Sequence, residues 1–302
     1  MLAVQRTCRL TRQVVGRLKE CPYRRPYRSQ SQQISCRAFT IIEVIIVIAI
    51  ILVLLSIVYL VIMRAKEGGR RMACLSNLNQ LCQSVSIYLA DYDQTFPLAI
   101  YVRSESEQTC LFTVSHALWP YLREKSVGLC PSDPTPVNLK HVFGTFHLCE
   151  DFGFLRTSYM ANWCLFEVGN IGTGSPMHRA IHMAEVSYPS ETVMLYDAVM
   201  EGFPFYKPHV QGYHSGFTNA GFVDGHSRGL KLRTGAGTVL RGDGHQSSVY
   251  CLIEQGPYTD LGSDCVSTLW GLADKRRDGR WCYRCPGRPT NSLWYIPGSC
   301  SD

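Results

Sequence analysis

Few side chains in this sequence stand at spacings that could do chemistry, and the most regular set is His214, Asp224 and His226. His214 is followed by nine residues and then by Asp224-Gly225-His226. Imidazole and carboxylate brought together can hold a transition metal, form a catalytic His–Asp pair, or make a structural hydrogen bond. A catalytic pair needs a nucleophile in motif-like surroundings. No G-x-S-x-G, H-E-x-x-H or P-loop pattern occurs, so no catalytic residue is assigned and the chain does not read as an enzyme. Asp224-Gly225 lies between an apolar run and Ser227-Arg228-Gly229-Leu230-Lys231-Leu232. That pattern predicts a hairpin with a type I′ turn. His214 is then expected to fold back and hydrogen-bond the hairpin, with His214, Asp224 and His226 as the alternative metal set.

Two further groups could bind metal. Asp91-Tyr92-Asp93 offers two carboxylates to Ca²⁺, which wants six to eight oxygens; at a helix end they read more simply as solvated. Cys282 and Cys285 form a C-x-x-C pair, but Cys251 and Cys265 are 14 apart and supply no second one. The expectation is no cofactor, with Ca²⁺ or another metal as the alternative.

Glu43 is a different kind of group. From Phe39 to Met63 the chain is almost wholly apolar, and Glu43 is its one charge. As a helix at about 1.5 Å per residue this stretch reaches roughly 37 Å, enough to cross a bilayer. A carboxylate at the centre of a membrane costs about 2.5–3.5 kcal/mol, less toward an interface. A cation from a neighbouring helix would satisfy it.

The elements that position these groups follow from charge and periodicity. Of 30 Lys and Arg, nine fall in residues 1–38 against the single acid Glu20, a net of +8. The remaining residues carry −2, which removes the hint of nucleic-acid binding in the overall +6. The basic segment reads as the cytoplasmic flank of a membrane helix; a transit peptide is the alternative and leaves Glu43 unexplained. Everything after Arg64 is then outside the cytoplasm. Eleven of the fourteen cysteines lie there, which suits an oxidising compartment, and an odd number leaves at least one unpaired within the chain. Leu75, Leu78, Cys82, Val85, Leu89 and Tyr92 recur at helical steps and predict an amphipathic helix ending near Asp91-Tyr92-Asp93, with Gly68-Gly69 softening it. Lys66, Arg70 and Arg71 form a basic collar able to meet lipid phosphates. His116–Leu122 predicts a short helix, and Thr157–Asn162 and Glu191–Asp197 predict strands. Gly235-Ala236-Gly237 reads as a flexible junction before a cysteine-rich tail.

Phe39-Thr40-Ile41-Ile42-Glu43 and the apolar run after it resemble the class III signal of type IV pilins and type II secretion pseudopilins. The resemblance implies a cut between Ala38 and Phe39 and N-methylation of Phe39. Glu43, fifth in the mature chain, would face the amine of a neighbouring subunit. Ala38 stands where the family usually has Gly. Arg71 through Gln80, Tyr88 to Asp93 and Phe96-Pro97 are similar to the large pilin-like proteins that also carry an H-x9-DG domain, matched here by His214, Asp224 and Gly225. In that family a C-P-S-D element follows, here Cys130-Pro131-Ser132-Asp133, and its Cys implies a Cys74–Cys130 disulfide.

The resulting expectation is an α+β protein with a long N-terminal helix packed on an antiparallel sheet. Its parts are a basic leader (1–38), a transmembrane and assembly helix (39–63), an amphipathic helix (64–96), a head (97–232) and a cysteine-rich extension (233–302). Implied partners are a prepilin peptidase, copies of itself or other pilin-like subunits, and membrane lipid. The expected location is the cytoplasmic membrane with the head outside, then a filament. The alternative is a membrane-anchored exported binding protein that never polymerises.

Overall fold

The protein is described from a computed structural model covering residues 40–105, 108–144, 147–149, 155–171, 178–202, 208–242, 244–253, 269, 271–286 and 300. The leader, with Ala38 and Phe39, lies outside the described residues, as does Cys265. The chain divides into two compact units, Met1–Leu54 and Leu55–Asp302.

Helix α1 runs Ile41–Asp91 without interruption. Gly68 and Gly69 do not break it; a Cβ at either position would meet nothing within 4 Å. From Ile41 to Met63 its large apolar side chains are exposed, and this part is long and apolar enough to cross a membrane. Farther along, Cys74, Leu78, Leu81, Cys82, Val85 and Leu89 are buried, while Leu75 is half-buried and Tyr92 exposed. The buried face is therefore rotated slightly from the predicted stripe, taking in Cys74 and Leu81. The helix ends through Asp93 and Gln94, both at positive φ, where the Gln94 N–H bonds back to the Leu89 carbonyl.

The head is built on antiparallel pairing. Strands β1 (Ile100–Glu105) and β2 (Gln108–Thr113) form one ribbon, followed by helix α2 (Val114–Leu118) and a 3₁₀ turn over Trp119–Tyr121. After a short pair, β3 (Val137–Asn138) with β4 (Arg156–Thr157), and helix α3 (Leu139–Val142) between them, the main sheet begins. Its strands are β5 (Tyr159–Ala161), β6 (Val193–Met200), β7 (Pro208–Val210), β8 (Phe217–Phe222), β9 (Ser227–Leu240) and β10 (Gln246–Leu252). The path is β10-β9-β8-β6-β5, with β7 also paired to β6. All eight residues of β6 are buried, as the apolar run Val193-Met194-Leu195-Tyr196 requires of a central strand.

Glycine lets α1 lie close to this sheet. A Cβ on Gly221 in β8 would overlap Cys82 Sγ and sit 3.2 Å from Leu78 Cγ. A Cβ on Gly229 in β9 would overlap the Arg71 guanidinium, which lies over the Phe217 ring at 4.4 Å. Arg71 is thus engaged with the sheet instead of joining the lipid-facing collar.

The expected boundary at residue 233 falls inside β9. Gly235-Ala236-Gly237 does not form a flexible junction: it belongs to a bulge, where Ser248 pairs with Thr238 but Tyr250 pairs with Thr234. Glycine at φ 94° (Gly237) permits that excursion without ending the strand. Beyond it, β11 (Leu272–Lys275) and β12 (Trp281–Arg284) form a hairpin, and Leu269 and Leu272 join the head's core.

Disulfides join Cys74 to Cys130, Cys110 to Cys149, Cys164 to Cys285 and Cys282 to Cys300. Cys282 and Cys285 bond to different partners, so the C-x-x-C pair is no zinc knuckle. Cys282 is in β12 and Cys285 lies just beyond it; residues an odd number apart along an extended chain point to opposite sides. Cys82 is the free cysteine among the described residues.

Candidate functional site

Two places hold functional groups. The first is the start of α1. Thr40 caps the helix, its N–H and hydroxyl both donating to Glu43 Oε2 at 2.8 and 2.7 Å, while the Glu43 N–H faces Thr40 Oγ1 at 3.4 Å. This is a capping box, which satisfies amides at the helix start and favours a carboxylate at the positive end of the dipole. The isolated chain therefore has a local use for Glu43.

The second place surrounds His214, a residue 2% exposed. Its backbone exchanges hydrogen bonds with Phe217, and Ser215 (φ 54°) and Gly216 (φ 86°) are both left-handed. Two successive positive φ values are what a type I′ turn demands, so this turn lies at the entry to β8. At Asp224-Gly225 only Gly225 has positive φ. There the Gly225 N–H bonds to the Phe222 carbonyl and the Phe222 N–H to the His226 carbonyl, giving a three-residue loop with a glycine bulge. The predicted I′ turn thus occurs nine residues earlier.

His214 does not bond the hairpin tip. Its Nδ1 lies 2.9 Å from Glu67 Oε1 on α1, and its Nε2 lies 3.5 Å from Asp197 Oδ2 on β6 and 3.3 Å from Cys130 Sγ. Asp224 instead bonds His226 Nδ1 at 2.6 Å, and the His226 ring stacks on Phe222 at 4.3 Å. His214, Asp224 and His226 therefore do not assemble as a metal set. The physical reason is the direction of the strands: His214 precedes β8 while Asp224 follows it, six strand residues away at the opposite end.

The surroundings of His214 stitch α1 to the sheet. Ser132 donates to Glu67 Oε1 at 2.9 Å, Asn77 to the Leu129 carbonyl at 2.8 Å, and Tyr159 OH to the Cys74 carbonyl at 3.1 Å. Asp197 is fully buried and accepts from the Asn219 N–H at 2.8 Å. Burial pushes the Asp197 carboxyl above its ordinary range, against the opposing hydrogen bond and charge of His214. Burial also disfavours the His214 imidazolium, but the hydrogen bonds and charges of Asp197 and Glu67 outweigh it and raise His214. The Cys82 thiol, buried against β8, is pushed up to about 12 by desolvation.

Glu67 and Asp197 were absent from the sequence-derived set. Asp197 had a signal, an acid closing a strand otherwise composed for burial. Glu67 had none beyond its place in a charged collar. At the end of α1, Asp91 accepts a 2.8 Å hydrogen bond from Tyr121 OH.

Residues 34–59 match the family model of the prokaryotic N-terminal methylation motif. No curated protein and no solved structure matches the chain. The motif match and the apolar first half of α1 support a type IV pilin-like precursor. The motif implies processing by a prepilin peptidase, and the apolar helix suits anchoring in a membrane.

Proposed function

We propose that this chain is the precursor of a structural filament subunit, a pilin or pseudopilin of a type IV pilus-like or type II secretion system. The peptidase cuts between Ala38 and Phe39, and Phe39 is N-methylated. The observation that carries this reading is a coincidence. The matched motif overlaps an apolar stretch, Ile41–Met63, whose side chains are exposed and whose one charge is Glu43. Such a surface holds the precursor in the membrane and is buried again when helices of several subunits pack together. Glu43 follows the new amine by four residues, and its capping box with Thr40 holds the carboxylate at the start of α1. In a filament it pairs with the amine of a neighbour, offsetting two desolvated charges.

The head, which carries the H-x9-DG pattern at His214, Asp224 and Gly225, lies outside the cytoplasm, where its disulfides persist. Its role is structural. N-terminal analysis of the protein purified from membranes tests the reading: the expected mature start is an N-methylated Phe39. An intact Met1 would overturn it. Glu43→Ala should insert and be processed yet leave assembly deficient, and normal filaments from that variant would refute the charge pairing.

A further inference from the structure

We propose that the Cys74–Cys130 pair, when reduced, forms with His214 and Asp197 a four-donor site for Zn²⁺. The disulfide and the metal would then be two alternative ways of fastening the 129–132 loop to α1. The proposal does not depend on filament assembly.

Three of the donor atoms are already collected, and the Asp197 carboxylate lies beside the histidine. Cys74 Sγ, Cys130 Sγ and a ring nitrogen of His214 lie within 4.8 Å of one another, and all three residues are buried. A tetrahedral zinc ion, with bonds of about 2.3 Å to sulfur and 2.0–2.2 Å to nitrogen or oxygen, sets its donors roughly 3.3–3.8 Å apart. The distance from His214 Nε2 to Cys130 Sγ is 3.3 Å, and from Nε2 to Asp197 Oδ2 it is 3.5 Å. Two of the donor separations therefore have the right size. The pair that must separate is the two sulfurs, and reduction releases them.

The supporting groups also fit a metal site. Glu67 Oε1 takes His214 Nδ1 at 2.9 Å and is itself held by Ser132. A carboxylate on one ring nitrogen fixes the tautomer that offers the other nitrogen's lone pair, the arrangement that orients metal-bound histidines. Asp197 Oδ2 is held by the Asn219 N–H, while its Oδ1, fully buried, has no hydrogen-bond partner among the described residues. A buried carboxylate with one oxygen in that condition carries a large desolvation penalty, which a cation bound at Oδ2 would lessen by compensating the charge. Two thiolates and an imidazole select zinc over calcium or magnesium.

The chemistry balances with a dithiol as reductant. Exchange breaks the Cys74–Cys130 bond and leaves two thiols, while the dithiol takes up a disulfide and supplies two electrons and two protons. Zinc then displaces both thiol protons, and any proton on His214 Nε2, into solvent.

The test uses the full chain in detergent, reduced with a phosphine, with Co²⁺ as the optical probe for Zn²⁺. The reduced wild type should take one equivalent, showing thiolate-to-cobalt charge-transfer and tetrahedral ligand-field bands that Zn²⁺ abolishes. The unreduced chain should show neither. Both bands should vanish in Cys74→Ser/Cys130→Ser, and Glu67→Gln, which keeps every ligand, should weaken binding about 10–100-fold. Absence of the bands in the reduced wild type would overturn the proposal. So would their survival in the double serine variant, which would assign them to cysteines freed elsewhere. If reduction alone melts the head, Zn²⁺ should restore its near-ultraviolet dichroism; failure to do so also refutes the site.

Discussion

Gly221→Ala probes the contact that seats α1 on the sheet. Gly221 carries no positive φ, so alanine is acceptable to the backbone, and fewer unfolded conformations would by themselves stabilise the protein by about 0.4–1 kcal/mol. The new methyl, however, overlaps Cys82 Sγ and crowds Leu78 Cγ at 3.2 Å. Cys82, Leu78 and Cys74 are each 0% exposed, and Cys74 is tied to Cys130, so the helix cannot easily retreat. Overpacking at such a site costs about 1–3 kcal/mol, here toward the upper end. The net expectation is a loss of about 2 kcal/mol, roughly thirtyfold in the folding equilibrium. Cys82→Ala alone removes one buried sulfur, at a cost of about 1 kcal/mol. In the double variant the sulfur's space receives the methyl, so the two effects should fall short of additive by more than 1 kcal/mol. Urea unfolding of the full chain in detergent, followed by tryptophan fluorescence, gives all four stabilities. Additivity within about 0.5 kcal/mol, or a Gly221→Ala variant as stable as wild type, would show that helix and sheet do not meet at this point.

Three other measurements bear on the head. Cys74 and Cys130 are separated by 56 residues in sequence, for which loop entropy assigns about 4 kcal/mol, so Cys74→Ser/Cys130→Ser should lower stability by that order in metal-free buffer. His214 is raised, so the folded head holds its proton more tightly than the unfolded chain does. That contribution is complete below the ordinary value of 6.5 and disappears as pH rises through the folded value. Unfolding stability measured from pH 6 upward should therefore decline, and His214→Gln should flatten the curve; a wild-type profile that rises would refute the sign. The Cys82 thiol, at about 12, should resist alkylation at pH 8 in the native state and react on unfolding, as mass spectrometry of the labelled chain can show.

The sequence by itself determined the features that depend on neighbours along the chain. An apolar run with one acid is legible because helix rise and hydrophobicity are local. The Thr40–Glu43 box joins residues only three apart, yet it took the structure to show it. The buried strand expected at Glu191–Asp197, which the structure places at Val193–Met200, and the end of α1 near Asp91 are also legible in composition and periodicity. The cysteine count required an unpaired residue, but burial in the helix–sheet contact decided that among the described residues it is Cys82.

Only the tertiary structure could say what His214 touches. Glu67 is 147 residues away in sequence and Cys130 is 84, and their approach depends on how α1 lies across β8 and β9. The H-x9-DG spacing suggested that its own members meet. An extended strand between them holds His214 and Asp224 apart, and the histidine is satisfied instead by residues from other elements. Bonds along a short stretch are fixed by local geometry, whereas a buried charge takes whichever partner the packing of distant segments brings to it.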